Sequence, residues 1–287
     1  MQARETPQIT GPEFVDVRGL RLAVWERGGI EPTVLFTHAT GFHARCWDQV
    51  IARIPNHMVA LDMRGHGHSA KPEPPYEWQN FGEDVAAFVR TMGYRGVTGV
   101  GHSMGGHALA VAASLEPQAF ARLVLVDPVI LPKWMYSAAP GEPHFARKRR
   151  ERWSSSDEMR ERFKDREPFR HWDPAVFHDY CEWALLPAEH GEGFVLACPP
   201  EVEGSIYENC MVDSANIYER LSKIAVPVTL IRSARGLRSA VAMDMAASPT
   251  APDLAQQIPN CREVLTTTSH FVPMEDPGLV AAEITRG

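Results

Sequence analysis

The chain lacks a paired-cysteine pattern, a membrane-length apolar run and a surplus of positive charge, and each absence removes a class of function. Its five cysteines, Cys46, Cys181, Cys198, Cys210 and Cys261, are odd in number and widely scattered, with no C-x-x-C pair. Neither a disulfide framework nor a cysteine-based zinc site is indicated, and a reducing compartment fits. No unbroken apolar run is long enough to cross a bilayer, and the stretch from Met1 to Glu13 is polar, without the apolar centre of a signal peptide. With Met1 taken as the natural start, a soluble, cytoplasmic protein with no membrane partner is expected. A net charge of −7 argues against nucleic acid as the main partner, because phosphate binding needs a basic face. The basic run Arg147-Lys148-Arg149-Arg150 is followed by Glu151, Asp157, Glu158 and Glu161, so it reads as a solvated helix face. Repeats and low-complexity tracts are also missing.

What is present is a chain of 287 residues, 44% apolar, long enough for one large α/β domain or a core with a smaller insertion. Phe14 to Arg27 alternates around Arg18-Gly19, which predicts an opening hairpin. Thr33 to Thr37 and His57 to Leu61 read as short buried strands, with a helix from Cys46 to Ile54 between them. Phe81, Val85, Phe88, Val89 and Met92 recur at helical spacing and predict a helix with one stripe against a sheet. Strands follow at Gly96–Val100 and Leu123–Val126, and later at Pro227–Ile231 and Arg262–Leu265. Strands alternating with helices imply right-handed crossovers and a mostly parallel, doubly covered sheet. From about Leu131 to Leu221 that rhythm stops and prolines, charges and aromatics crowd together. A stretch too long for a structureless loop, inside an alternation that resumes afterwards, reads as an inserted helical cap. The expected division is a core of residues 1–130 and 222–287 and a cap of residues 131–221.

Gly101-His102-Ser103-Met104-Gly105 is the most informative segment. A serine between glycines at a strand-to-helix corner is forced into a tight turn that lifts its hydroxyl clear of the sheet. The helix that follows, rich in small residues from His107 to Ala113, packs close and aims its first amides at Ser103. Three other pieces accompany it in order: His38-Ala39-Thr40-Gly41 after an early strand, the loop Arg64-Gly65-His66-Gly67-His68-Ser69, and Ser269-His270-Phe271-Val272-Pro273 near the end. Together they resemble the α/β-hydrolase fold family over nearly the whole chain, which implies a mostly parallel, doubly wound sheet with an inserted helical cap.

A serine hydroxyl needs a base to take its proton as it attacks. The resemblance assigns that role to His270, which follows the last strand and precedes a carboxy-terminal helix starting near Asp276. In most of the family the acid that orients the base follows the strand after the cap, where this chain has Ser233-Ala234-Arg235-Gly236-Leu237-Arg238-Ser239 and no carboxylate. Asp127 stands instead at the end of the strand after the elbow helix, the position used by haloalkane dehalogenases and zearalenone-type lactonases. It is favoured over Asp244. The oxyanion donors implied are the N–H groups of Met104 and Thr40; Ala39 replaces the glycine of the common His-Gly form, and must adopt whatever angles the turn requires. His66 and His68 have H-x-H spacing but no evident third ligand, so no metal is expected. Glu201 and Glu203 after Cys198-Pro199-Pro200 are a candidate carboxylate pair or, more ordinarily, a helix start. Trp134, Trp183 and Phe271 are the expected lining of an apolar pocket beneath the cap.

The resulting expectation is a serine hydrolase, carboxylesterase or lactonase, acting without a cofactor on a small to medium apolar molecule. Serine at the elbow disfavours dehalogenation and epoxide hydrolysis, which in this fold need a carboxylate nucleophile. Carbon–carbon bond hydrolysis of ring-cleavage products, cofactor-free dioxygenation through a His-Asp pair, and ligand binding without catalysis remain open at this level. The oligomeric state and the substrate are not legible.

Overall fold

The computed structural model of the chain describes residues 8–137, 139–236 and 246–286. The chain opens with β1 Thr10–Val17 and β2 Leu20–Arg27, an antiparallel hairpin turning at Arg18-Gly19, where both residues have positive φ. Strands β3 Ile30–Thr37, β4 Asn56–Asp62, β5 Val97–His102 and β6 Phe120–Val126 follow. Three short strands come next, β7 Arg152–Trp153, β8 Leu185–Pro187 and β9 Phe194–Leu196, and then β10 Val228–Ser233 and β11 Cys261–Thr266. The main sheet has the order β1-β2-β4-β3-β5-β6-β10-β11. Its pairs are parallel from β4 to β11, and only β1–β2 and β2–β4 are antiparallel.

The central strands read as unbroken apolar runs because both faces are covered. Along β6, Leu123 and Leu125 join one apolar cluster while Val124 and Val126 join the other. In β3, Leu35 belongs to the first cluster and Val34 and Phe36 to the second, as the twofold alternation of a strand requires. The first cluster takes the apolar stripes of helices Trp78–Thr91 and Met104–Leu115, and the second takes Val280, Ala281 and Ile284 of helix Pro277–Thr285. Phe81, Val85, Phe88 and Val89 are buried as their spacing predicts; Met92 lies past the helix end and is largely exposed. The helix expected from Cys46 to Ile54 is a 3-10 turn, Ala44–Trp47, running into one short α-turn, Asp48–Ile51.

Between β6 and β10 the chain forms helices Ser156–Phe163, Pro174–Trp183 and Pro200–Glu208, several 3-10 turns, and a three-stranded antiparallel sheet ordered β7-β9-β8. The sequence reading anticipated helices alone; strands of two or three residues are too short to leave a period. Trp153, Met159, Trp172, Phe177 and Tyr180 gather into a third apolar cluster that also takes in Phe271 and Met274 of the chain's last segment. Aromatic packing thereby binds this stretch to the edge of the site.

Candidate active site

At the end of β5 the backbone turns sharply into helix Met104–Leu115, with Ser103 at φ 56° and ψ −118°. That left-handed conformation is strained for a serine and is held by the Ser103 N–H donating to Val126 O (3.0 Å) and by Ser103 O accepting from the N–H groups of His107 and Val129. Gly105 is required by close approach: a Cβ there would lie 2.4 Å from Thr37 O. The elbow helix therefore runs against the end of β3.

Ser103 Oγ lies 3.0 Å from His270 Nε2, and His270 Nδ1 lies 2.7 Å from Asp127 Oδ2. A carboxylate takes Nδ1–H as donor, so Nε2 is left as the acceptor for the serine hydroxyl. Asp127 is fully buried and sits at φ 42°. Its second oxygen, Oδ1, accepts from Ser233 N–H (3.0 Å), Ser248 Oγ (2.7 Å) and Thr250 Oγ1 (3.3 Å). The end of β10, where most of the resembled family carries its acid, thus contributes a backbone donor to the Asp127 carboxylate. Asp244, weighed as an alternative acid, lies outside the described residues, as do 237–239 of the stretch after β10.

The loop after β3 is pinned by two neutral histidines. His38 donates from Nδ1 to Ala39 O (2.8 Å) and accepts Met63 N–H at Nε2 (2.9 Å). His66 donates from Nδ1 to Arg64 O (2.9 Å) and accepts Gly41 N–H at Nε2 (3.0 Å). Burial pushes both imidazoles below their ordinary pKa, which keeps one nitrogen of each free to accept. Both ring nitrogens of His66 are therefore engaged by backbone groups. Among the described residues no group of three or more His, Cys, Asp or Glu could hold a metal ion. The left-handed angle in this loop falls on Gly41, at φ 78°, so Ala39 is accommodated without strain. Thr40 Oγ1 contacts Met104 Sδ at 3.5 Å, which sets the two residues side by side. Among the described residues neither the Thr40 nor the Met104 N–H donates to a hydrogen-bond acceptor, and a helix's first amide has none within the helix.

His102, beside the nucleophile, donates from Nε2 to His270 O (2.9 Å) and so ties the elbow to the histidine loop; burial drives its pKa well below the ordinary value. On the other side of His270, Ser269 donates its N–H to Glu275 Oε2 (3.0 Å) and its hydroxyl to Glu275 Oε1.

Ser103 and His270 open onto a cavity of about 140 Å³ walled by Thr40, Phe42, Val129, Leu131, Met135, Tyr207, Met211 and Phe271, among others. Phe271 lines it as the sequence suggested. Trp134 does not: it is 74% exposed, on a 3-10 turn whose next residue, Met135, faces the cavity instead. Trp183 is also away from it, packed edge-on against Trp25 with centroids 5.1 Å apart and covered by the Arg45 guanidinium at 4.2 Å. An apolar type in the right segment gives no facing direction, and both tryptophans were misplaced for that reason. Phe42 was missed although it lies two residues after Thr40, a position that a donor loop carries into the pocket. Ser248 and Thr250 left no signal, since nothing distinguishes them from surface hydroxyls. Glu201 and Glu203 do not form a pair: Glu201 is exposed against Arg147, Glu203 is buried against Arg149, and both belong to helix Pro200–Glu208.

No helix among the described residues is long and apolar enough to cross a membrane. Residues 34–283 match the model of the Alpha/beta hydrolase family. An esterase of Mycobacterium tuberculosis is 34% identical over 117 residues, 40% of this chain and 39% of that protein. The first curated relatives are matched over only about two fifths of their own length. Among solved structures, E-2-(acetamidomethylene)succinate hydrolase superposes with a TM-score of 0.74 at 18% identity, covering 97% of this chain and 98% of that one. The enol-lactonase from Burkholderia xenovorans gives 0.68 at 22% identity, covering 96% and 98%. These two likenesses show the fold. With the family model spanning the parallel part of the sheet, the elbow and the histidine loop alike, the chain belongs to the alpha/beta hydrolase family.

Proposed function

We propose that this protein is a serine hydrolase cleaving a carboxylic ester or lactone of a small to medium apolar molecule. The reading rests above all on the continuous hydrogen-bonded path Ser103–His270–Asp127 at the wall of an apolar cavity. In this mechanism Ser103 Oγ attacks the carbonyl carbon as His270 Nε2 takes its proton. The negative charge forming on the carbonyl oxygen is met by the N–H groups of Met104 and Thr40, two buried residues in contact with each other. His270 then gives the proton to the leaving alkoxide, and the acyl-enzyme is hydrolysed by water that His270 deprotonates in turn. Asp127 holds the imidazole in the tautomer this requires and stabilises the imidazolium. Residues 131–221 serve as the cap, and Leu131, Met135, Tyr207 and Met211 supply its face of the pocket. The resemblance of the matched segment to an esterase supports the ester side of the reading.

The experiment is turnover of a panel of aryl esters, alkyl esters and lactones, with oxygen uptake followed in parallel. Hydrolysis of at least one class without oxygen consumption is expected. Oxygen consumption on a heteroaromatic substrate without ester turnover would replace this reading with His-Asp dioxygenation.

A further inference from the structure

A second cavity of about 320 Å³ adjoins the first, sharing Thr40, Phe42, Tyr207 and Phe271 as a common wall. It differs in character. Four arginines line it, Arg149, Arg150, Arg162 and Arg166, against one acidic residue, Glu203, among walls that are otherwise largely aromatic. Two of the arginines are already neutralised: Arg149 by Glu203, and Arg150 by Glu158 at 2.5 Å. Arg162 and Arg166 make no ion pair among the described residues. Of the acidic neighbours on their own segment, Glu161 is held by Lys164 (2.6 Å) and Glu167 by Arg170 and His171, while the exposed Asp165 makes no ion pair with either arginine. The Arg166 guanidinium lies 5.9 Å from the centroid of the Phe163 ring. Two arginines without an ion pair thus line an aromatic chamber that begins at the proposed oxyanion loop. An acid on a flat scaffold matches both features at once, since aromatic walls take the scaffold and a guanidinium fork takes a carboxylate.

We propose, building on the serine-hydrolase reading above and replacing its wholly apolar substrate with one that carries a charged arm, that this outer chamber is a subsite for a carboxylate-bearing planar arm of the substrate, with Arg162 and Arg166 as its ligands. A substrate with its carbonyl between Ser103 and Thr40 then places its apolar portion in the inner cavity and extends the charged arm past Phe42 and Phe271.

The test compares 4-acetoxybenzoate with its methyl ester, two acetates that differ mainly in one negative charge. The ratio of kcat/KM for the acid over the methyl ester is measured in the wild type and in Arg162→Gln/Arg166→Gln. The ratio is expected to fall about tenfold or more in the double variant, exposed charge-assisted contacts being worth less than buried ones, and wild-type preference for the acid should weaken with added salt. A ratio unchanged by the substitutions overturns the subsite. Binding of 4-acetoxybenzoate to Ser103→Ala by calorimetry is measured with and without the arginine substitutions and does not depend on turnover. Weaker binding without the arginines supports the subsite even if the wild type hydrolyses neither ester, an outcome that would count against the hydrolase reading alone. Equal binding in both backgrounds overturns the subsite.

Discussion

Asp127 carries the most demanding environment of any single residue here: no exposure, a left-handed backbone, and one donor or more on each carboxylate oxygen. Asp127→Asn preserves the shape and changes which imidazole nitrogen carries the proton, so kcat is expected to drop by on the order of ten-thousandfold, measured on whichever ester the panel identifies. Ser248→Ala removes a 2.7 Å donor to the buried carboxylate and is expected to lower unfolding free energy by about 1.5–3 kcal/mol, the range for hydrogen bonds to charged groups. Chemical denaturation reads this, and an unchanged midpoint would mean that Ser248 is not part of the carboxylate's support. Asp127 could be singled out because the usual acid position after the later strand holds no carboxylate, and the resemblance offers the strand end that Asp127 occupies as the alternative. Its neutral supporters were not, because Ser248 and Thr250 acquire their role only when residues more than a hundred positions apart are folded together.

Among the elements, the elbow and its helix have the least room for change. Gly105→Ala would set a Cβ 2.4 Å from Thr37 O and 2.7 Å from His38 O. Both obstacles are backbone, so the helix must retreat from β3, with an expected loss of about 1–3 kcal/mol and a fall in kcat as the Met104 amide leaves its place. Denaturation and steady-state kinetics on one preparation test the two together; full stability with full activity would show that the close approach is dispensable. In the proposed cap the contrast lies between Met135, which faces the inner cavity, and Trp183, which packs on Trp25 and Arg45. Met135→Ala is expected to shift the ratio of catalytic efficiencies for a bulky over a small acyl group by about tenfold. Trp183→Ala is expected to lower stability and leave that ratio in place. The reverse pattern would mean that the cavity is not the acyl site. The core strands were readable because burial on both faces writes continuous apolar runs, as in β3 and β6. The segment between β6 and β10 was not, since its residues fold onto another element and sequence spacing does not encode that face.

At the scale of the whole molecule, five histidines, His38, His43, His66, His102 and His107, are held neutral by burial, with pKa values below the ordinary 6.5. The unfolded chain therefore binds more protons than the folded one once the pH drops below about 6.5. Stability is fully present above that value and declines as the pH falls toward the folded pKa values. For His43 and His107, pushed down to about 4, the loss at pH 5.5 is about 1 kcal/mol each. Urea midpoints at pH 7.5 and 5.5 should differ in that direction, and His107→Gln should narrow the gap; a midpoint that rises on acidification would contradict this assignment of neutral histidines. The central claim, that Ser103 is a nucleophile activated by His270 and Asp127, is tested most directly by the intact mass of the folded protein after treatment with a fluorophosphonate. A single stoichiometric adduct mapping to Ser103 is expected, absent in Ser103→Ala and formed far more slowly in Asp127→Asn. A native protein that gains no adduct, or gains one on a residue other than Ser103, would contradict it.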